Sequence, residues 1–306
     1  MGWLRGSFDR LEGRLLAELL AEAAEATAAA GSNSAAANWT SPAAPQPQAL
    51  SELPPCVQRY LQLADAASCN YTVLTSTQVG QFKYAAEDAS PWQRMKVKLC
   101  ASPLVPAFHW SARCTFKPLI GLRGFDSRVR GSGRLDWRLW GWLPAHSANG
   151  PALDRTLLVR WLADAPGCPQ AMLPSASLQW ETVPGCTSEA HAVLTHGGIT
   201  VSGVFTFDGE GLVSSFRTED YVMPLAGGGE ELRPWLVRYR GHKRVNVTDG
   251  SSSCNRGGDG GSGGGSSGQQ GTLFVPTDCE ACRLEPDGRE VPYVRFQLDK
   301  LSGQRK

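Results

Sequence analysis

Residues 107–116 read AFHWSARCTF, and apolar and polar side chains alternate from Phe108 onward. The even positions are apolar: Phe108, Trp110, Ala112, Cys114 and Phe116. The odd positions between them carry His109, Ser111, Arg113 and Thr115. A period of two places neighbouring side chains on opposite faces of a β-strand. The stretch therefore predicts an antiparallel strand with one buried face and one solvated face.

The same alternation continues on both sides of this strand. In residues 92–100, Met95, Val97 and Leu99 alternate with basic residues. In residues 125–139 the apolar set is Phe125, Val129, Leu135, Trp137 and Leu139. The polar set is Asp126, Arg128, Arg130, Ser132, Arg134, Asp136 and Arg138. We interpret each set as one face of the sheet. Gly131 and Gly133 indicate a bend, a bulge or a turn between two strands.

The pattern of elements along the chain predicts the fold class. Period-two segments resume after residue 176 and continue to about residue 301, whereas helical spacing occurs at 3–30, after Ser51 and at 151–164. Because strands and helices do not alternate, a parallel α/β fold is excluded. The sequence predicts an α+β fold. We expect one large curved antiparallel sheet, a half-barrel of about ten strands, with one or two helices on its concave face.

The chain divides into three predicted parts. Residues 1–30 form an amphipathic helix that packs on the body or on a partner. Residues 31–50 form a disordered linker rich in Pro, Ala and Ser. Residues 51–306 form a single β-rich domain. Within it, residues 249–271 contain ten glycines and six serines and are expected to be a flexible insertion.

Composition excludes several classes of protein. Thirty Lys and Arg balance 29 Asp and Glu, for a net charge of +1, which argues against a dedicated nucleic-acid binder. No apolar run reaches the roughly 18–20 residues of a membrane helix. The pair Cys279 and Cys282 has no second pair at zinc-ligand spacing, so neither a metal nor a cofactor is expected. The compartment stays open: the cytoplasm is the default, and three N-x-S/T triplets leave a secretory or organellar route open.

Short motifs between residues 51 and 303 resemble an uncharacterised, mainly bacterial family known only as a domain of unknown function. They include Leu53-Pro54-Pro55 with Val57, Arg59, Tyr60 and Leu61; Phe108-His109-Trp110-Ser111-Ala112-Arg113; Arg160-Trp161-Leu162-Ala163-Asp164; and Ala171-Met172-Leu173-Pro174-Ser175. The family usually has Glu where this chain has Asp164. The resemblance implies no known activity. The pattern is similar to the half-barrel of lipoprotein-carrier proteins, in which a curved sheet and a helix enclose an apolar cavity, and we use it as an analogy.

These observations favour a non-enzymatic module that holds a hydrophobic or amphipathic, lipid-like small molecule. The expected apolar lining is Phe108, Trp110, Trp137, Leu139, Phe205 and Phe207. Arg128, Arg130 and Arg138 are expected near the mouth of the pocket. Ordinary core filling is the alternative for the aromatic residues.

Two other functions stay open from the sequence. The first is an enzyme that uses Asp126, Arg160 and Asp164, although Arg160 and Asp164 are four residues apart and pair readily on one helix face. The second is a structural or interaction protein that docks on a protein partner through residues 1–30. No catalytic residue is assigned.

Overall fold

A computed structural model of the chain describes residues 2–32, 47–83, 90–117, 120–224, 230–250 and 271–305. These residues form three α-helices, four short 3-10 turns and fifteen β-strands. The helices are α1 (Gly2–Ser32), α2 (Pro55–Leu63) and α3 (Pro151–Asp164). The first seven strands are β1 (Tyr71–Phe82), β2 (Gln93–Ala101), β3 (Phe108–Lys117), β4 (Ile120–Val129), β5 (Ser132–Leu139), β6 (Leu143–Asn149) and β7 (Leu178–Thr182). The others are β8 (Glu189–His196), β9 (Ile199–Phe207), β10 (Val213–Pro224), β11 (Glu230–Arg240), β12 (Lys243–Asp249), β13 (Gly271–Val275), β14 (Asp278–Leu284) and β15 (Glu290–Arg305).

All fifteen strands belong to one curved sheet, which confirms the predicted α+β half-barrel. Thirteen of them follow the order β6-β5-β4-β3-β2-β1-β15-β14-β11-β10-β9-β8-β7, with antiparallel neighbours throughout. β12 joins the sheet beside the end of β15, and β13 pairs with β12. The prediction of about ten strands was wrong. β6 (LPAHSAN) is almost wholly exposed and β12 (KRVNVTD) is largely polar, so neither shows the apolar alternation of a half-buried strand.

A two-residue turn separates β4 from β5. It changes which residues, odd-numbered or even-numbered, lie on a given face of the sheet. Val129 pairs with Ser132 across Arg130 and Gly131, and both turn residues have positive φ, as a tight hairpin requires. Odd residues of β4 therefore share a face with even residues of β5. The prediction that Phe125 lies on one face with Trp137 and Leu139 was wrong, because it treated the two strands as one.

Helix α1 covers the outer face of β3 and β4. Its apolar stripe is buried on the sheet: Phe8, Leu15, Leu19 and Ala23. Ion pairs flank this stripe, including Arg123 with Asp9 at 2.7 Å and Arg130 with Glu25 at 2.7 Å. The part of β3 beneath α1 that we expected to be solvated is therefore buried, with His109 only 3% exposed, whereas Arg113 and Thr115 on the same face are exposed. The stripe that was predicted to pack on the body or on a partner packs on the body.

Helices α2 and α3 fill part of the opposite, concave side. α3 begins at Pro151 and ends at Asp164, as predicted, and its buried side chains include Leu157, Leu158, Trp161 and Leu162. It contacts β4 and β5 near one end of the sheet and β9 and β10 near the other. Leu158 and Leu162 belong to the same core cluster as Phe205 and Phe216. α3 therefore ties the two arms of the curved sheet together.

Some predictions fall wholly or partly outside the described residues. Of the predicted linker, residues 33–46 lie outside them, and of the predicted Gly/Ser insertion, residues 251–270 do. Among the described helices, none is both long and apolar enough to cross a membrane.

Candidate ligand-binding cavity

The concave side of the sheet lines an open cavity of about 1220 Å³. Its wall is formed by β1 to β6, β10, β11, β13, β14 and β15, by the C-terminal half of α3 and by the segment that follows α3. Most of the wall is apolar or aromatic, including Phe82, Met95, Leu99, Trp110, Leu122, Trp137, Leu139, Trp161, Trp235, Val237, Tyr239, Val294 and Phe296. The volume exceeds the roughly 300–1,000 Å³ of typical small-molecule pockets.

A buried ion pair joins α3 to β4 at one part of this wall. The Arg160 guanidinium donates a short hydrogen bond to the Asp126 carboxylate. Trp137 Nε1 donates to the other oxygen of Asp126 at 3.1 Å. The guanidinium also lies 5.2 Å from the centre of the Trp110 ring, within the range of a cation–π contact. Both oxygens of Asp126 thus have donors, so this carboxylate is fully satisfied.

Asp164 lies one helical turn after Arg160 and also faces the cavity. Its side chain is exposed, and the surface that it exposes belongs to the cavity wall. Within the described part of the chain, its carboxylate accepts no hydrogen bond from any donor. Enclosure by the surrounding protein raises the pKa of Asp164 to about 6, although the charge of Arg160 opposes this shift. Asp164 is therefore a carboxylate whose charge is only partly balanced by the protein.

An aromatic and basic group on β10, β11, β14 and β15 lines the same cavity. Trp235 on β11 donates from Nε1 to the Tyr293 hydroxyl on β15 at 2.8 Å. Tyr221 stacks on Trp235 with ring centres 4.5 Å apart. The Arg283 guanidinium lies 4.7 Å from the centre of the Tyr293 ring. Burial raises the pKa of Tyr293 well above its usual value, so this hydroxyl stays protonated.

The structure brings only part of the predicted lining together. Trp110, Trp137 and Leu139 line the cavity. Phe108, Phe205 and Phe207 lie outside its wall and are at most 3% exposed, as parts of the packed core. These three residues fill the core, which was the alternative that the sequence left open.

The three arginines expected at the mouth lie elsewhere in the structure. Arg128 is fully buried and donates to the Pro106 carbonyl at 2.6 Å. Arg130 is in the β4–β5 turn and pairs with Glu25 of α1. Arg138 pairs with Asp136 beneath α1, on the outer face. The placement of Arg138 follows from the reversal of parity at the β4–β5 turn.

Sequence reasoning missed the aromatic and basic group of the cavity wall. Tyr221, Tyr293 and Arg283 come from three separate strands that meet only in the folded sheet. The signal in the sequence was the period of two: Cys279, Ala281 and Arg283 are every second residue of β14, and all three line the cavity. An arginine at such a position is ordinarily read as solvent-facing.

The described residues contain no cluster of three or more His, Cys, Asp or Glu suited to a metal ion. Of the cysteine pair, Cys279 lines the cavity and Cys282 does not.

Comparison with known protein families identifies the family of this chain. A model described as "Family of unknown function (DUF6544)" matches residues 43–255, which is more than half of the chain, and the chain therefore belongs to this family. No curated protein matches the sequence.

Three solved structures are distant matches. One is a proposed outer membrane lipoprotein-sorting protein domain from Vibrio parahaemolyticus, at 10% identity and a TM-score of 0.40, covering 84% of this chain and 94% of that one. Another is a DUF1329 family protein from Desulfovibrio piger, at 8% identity and a TM-score of 0.36, covering 81% and 92%. A third is a β-barrel-like DUF1849 protein from Brucella abortus, at 9% identity and a TM-score of 0.24, covering 76% and 98%.

Proposed function

We propose that this member of the DUF6544 family holds a hydrophobic or amphipathic small molecule in the cavity and does not transform it. The observation that carries the proposal is a cavity of about 1220 Å³ with a mostly apolar and aromatic wall on the concave side of the sheet. Transfer of an alkyl chain from water to a wall of this kind is favourable by about 0.8 kcal/mol for each buried CH₂ group. Burial of about ten carbons therefore contributes roughly 8 kcal/mol of favourable binding free energy, before the costs of association are subtracted.

The architecture supports the proposal because the cavity does not depend on a single mobile element. Its wall is drawn from eleven strands of one continuous sheet, and α3 ties the two arms of that sheet together. A preformed apolar pocket with a few polar groups is the usual arrangement of a small-molecule site. The polar groups here are the Asp126–Arg160 pair, Asp164 and the Tyr221–Trp235–Tyr293 group.

Native mass spectrometry tests this function. Protein purified without detergent and extracted with organic solvent is mixed with a panel of fatty acids, fatty alcohols and phospholipids. We expect one bound molecule per chain for at least one class, recovered chemically unchanged. Absence of any adduct across the panel would rule out the proposed binding.

A second candidate is an enzyme, and one specific observation favours it. Asp126, Arg160 and Asp164 come from two elements and face one cavity, and the pKa of Asp164 is raised to about 6, a value suited to proton transfer near neutral pH. Incubation of the same panel followed by chemical analysis tests this candidate. Conversion of a compound by the wild-type protein and not by Asp164→Asn would support the enzyme.

A further inference from the structure

We propose that the guest carries a cationic group, such as an ammonium, and that this group binds against Asp164. The inference rests on the proposed function, because it names the chemical class of the molecule in the same cavity. Its starting point is Asp164, the cavity-facing carboxylate that accepts no hydrogen bond from the described residues.

The local charge around Asp164 is negative. Asp126 and Asp164 carry two negative charges, and Arg160 supplies one positive charge, which is committed to Asp126 by a short hydrogen bond. The other titratable groups that interact with Asp164 are Tyr239 on β11 and Cys279 on β14. Burial raises the pKa of both, so they stay neutral and add nothing to the partial balance that Arg160 provides.

The position of Asp164 in α3 adds to this negative potential. Asp164 is the last residue of the helix, and the C-terminal end of a helix dipole favours a cation over an anion. The Tyr239 hydroxyl donates to the Ala163 carbonyl at 2.6 Å, so the hydroxyl is committed to the backbone and is not free to bind Asp164. An ammonium supplies both the charge and the hydrogen-bond donors that this end of the cavity lacks.

Strand register places Arg283, a basic residue of the cavity wall, well away from Asp164. On β14, Cys279 lies beside Tyr239, whereas Arg283 lies beside Trp235, four residues further along. Four residues of a strand span roughly 13 Å. Arg283 is thus at the other end of this row, and the cavity has an acidic end at Asp164 and a basic end at Arg283. The alkyl part of the guest lies along the apolar wall between them.

Three ten-carbon ligands with different heads test the inference by calorimetric titration at pH 7.5: decylammonium, decanol and decanesulfonate, each below its micellar concentration. We expect the wild-type protein to bind decylammonium at least tenfold more tightly than decanol, whereas the affinity for decanesulfonate, whose head would lie at the basic end, should not fall in Asp164→Asn. Asp164→Asn should remove the advantage of the ammonium and leave decanol affinity within twofold. Glu219→Gln, which changes an exposed acid on β10, serves as the control and should retain the full advantage.

The outcomes separate the two proposals. Binding of decanol without a preference for decylammonium, or a preference that persists in Asp164→Asn, overturns the cationic guest and leaves the apolar cavity as the binding site. Failure of all three ligands to bind overturns both.

Discussion

At the scale of single residues, the candidate site depends on an ionisable group that opposes folding. Asp164 has a raised pKa because the enclosing protein disfavours its charged form and Arg160 is already engaged by Asp126. A group of this kind lowers stability at neutral pH and is retained more often for function than for folding.

Asp164→Asn should therefore stabilise the protein, with a defined pH dependence. The pKa of Asp164 rises from 3.8 to about 6 on folding, so the folded state holds its proton more tightly. As pH rises from about 4 to 6, the unfolded state gives up that proton first, and the wild-type protein loses stability. Because the side chain is exposed to the cavity, we expect a discounted gain for the variant, on the order of 1 kcal/mol above pH 6.5.

Urea denaturation at pH 4.5 and pH 7.5 measures this difference. The gain should be small at pH 4.5 and present at pH 7.5. An equal gain at both values, or a loss of stability at pH 7.5, would show that Asp164 is balanced by the protein itself.

Sequence reasoning selected Asp126, Arg160 and Asp164, but not their pairing. Spacing on a helix predicts a bond between Arg160 and Asp164, and the structure instead pairs Arg160 with Asp126. That choice depends on where α3 lies over β4, which is a tertiary feature. Local spacing carries no information about it, because a pair four residues apart is worth only a few tenths of a kcal/mol.

At the scale of elements, a glycine on β4 shapes one wall of the cavity. A Cβ atom on Gly124 would lie 2.2 Å from Cδ2 of Trp137, which pairs with it across β5. The missing side chain lets the indole lie against the strand and reach Asp126 at 3.1 Å.

Gly124→Ala should displace Trp137 and cost about 2 kcal/mol of stability, since overpacking of this kind forces side chains out of their rotamers. We also expect a changed near-UV circular dichroism signal and weaker binding of decanol. The matched control is Gly121→Ala on the same strand, where a Cβ would have no atom within 4 Å. Equal effects of the two substitutions would contradict the proposed role of Gly124.

Helix α1 presents a separate case, because it covers the outer face and leaves the cavity untouched. Phe8 is fully buried, with its ring 5.4 Å from that of Phe125 and with the guanidinium groups of Arg123 and Arg138 within 5 Å. Glu12 strengthens the attachment: burial acts to raise the pKa of Glu12, but its contacts with His109 and Arg123 lower it overall.

Phe8→Ala should loosen α1 from the sheet, because it removes roughly 3 kcal/mol of packing. Hydrogen exchange should then rise across residues 2–32, while decanol affinity stays unchanged. Arg14→Ala changes an exposed residue of the same helix and should leave exchange as in the wild type. Loss of decanol binding in Phe8→Ala would show that α1 supports the cavity after all.

At the scale of the whole molecule, the half-barrel could be predicted because the alternation of apolar and polar residues lies within each strand. Period-two alternation marks each half-buried strand, and α3 was predicted with its observed bounds from helical spacing. The cavity could not be predicted in the same way. Whether the concave side is filled by side chains or encloses a volume depends on strand order, curvature and the angle of α3, none of which alternation records.

The division of aromatic residues shows the same limit. Trp110 lines the cavity and Phe108, two residues before it on the same face of β3, lies in the packed core. Both are even-numbered residues of β3, so the sequence places them on the same face but does not distinguish their surroundings.

Titration of the extracted protein with N-phenyl-1-naphthylamine, a probe that fluoresces in apolar surroundings, tests the central claim most directly. Ala281 lines the cavity on β14, and Glu280, its neighbour, lies outside the wall. We predict saturable binding of one probe per chain. Ala281→Trp should weaken it about tenfold, because loss of about 50 Å² of apolar contact costs roughly 1.3 kcal/mol, whereas Glu280→Trp should leave it unchanged. No saturable signal, or equal affinity in the two variants, would contradict the claim that the concave side of the sheet holds a guest.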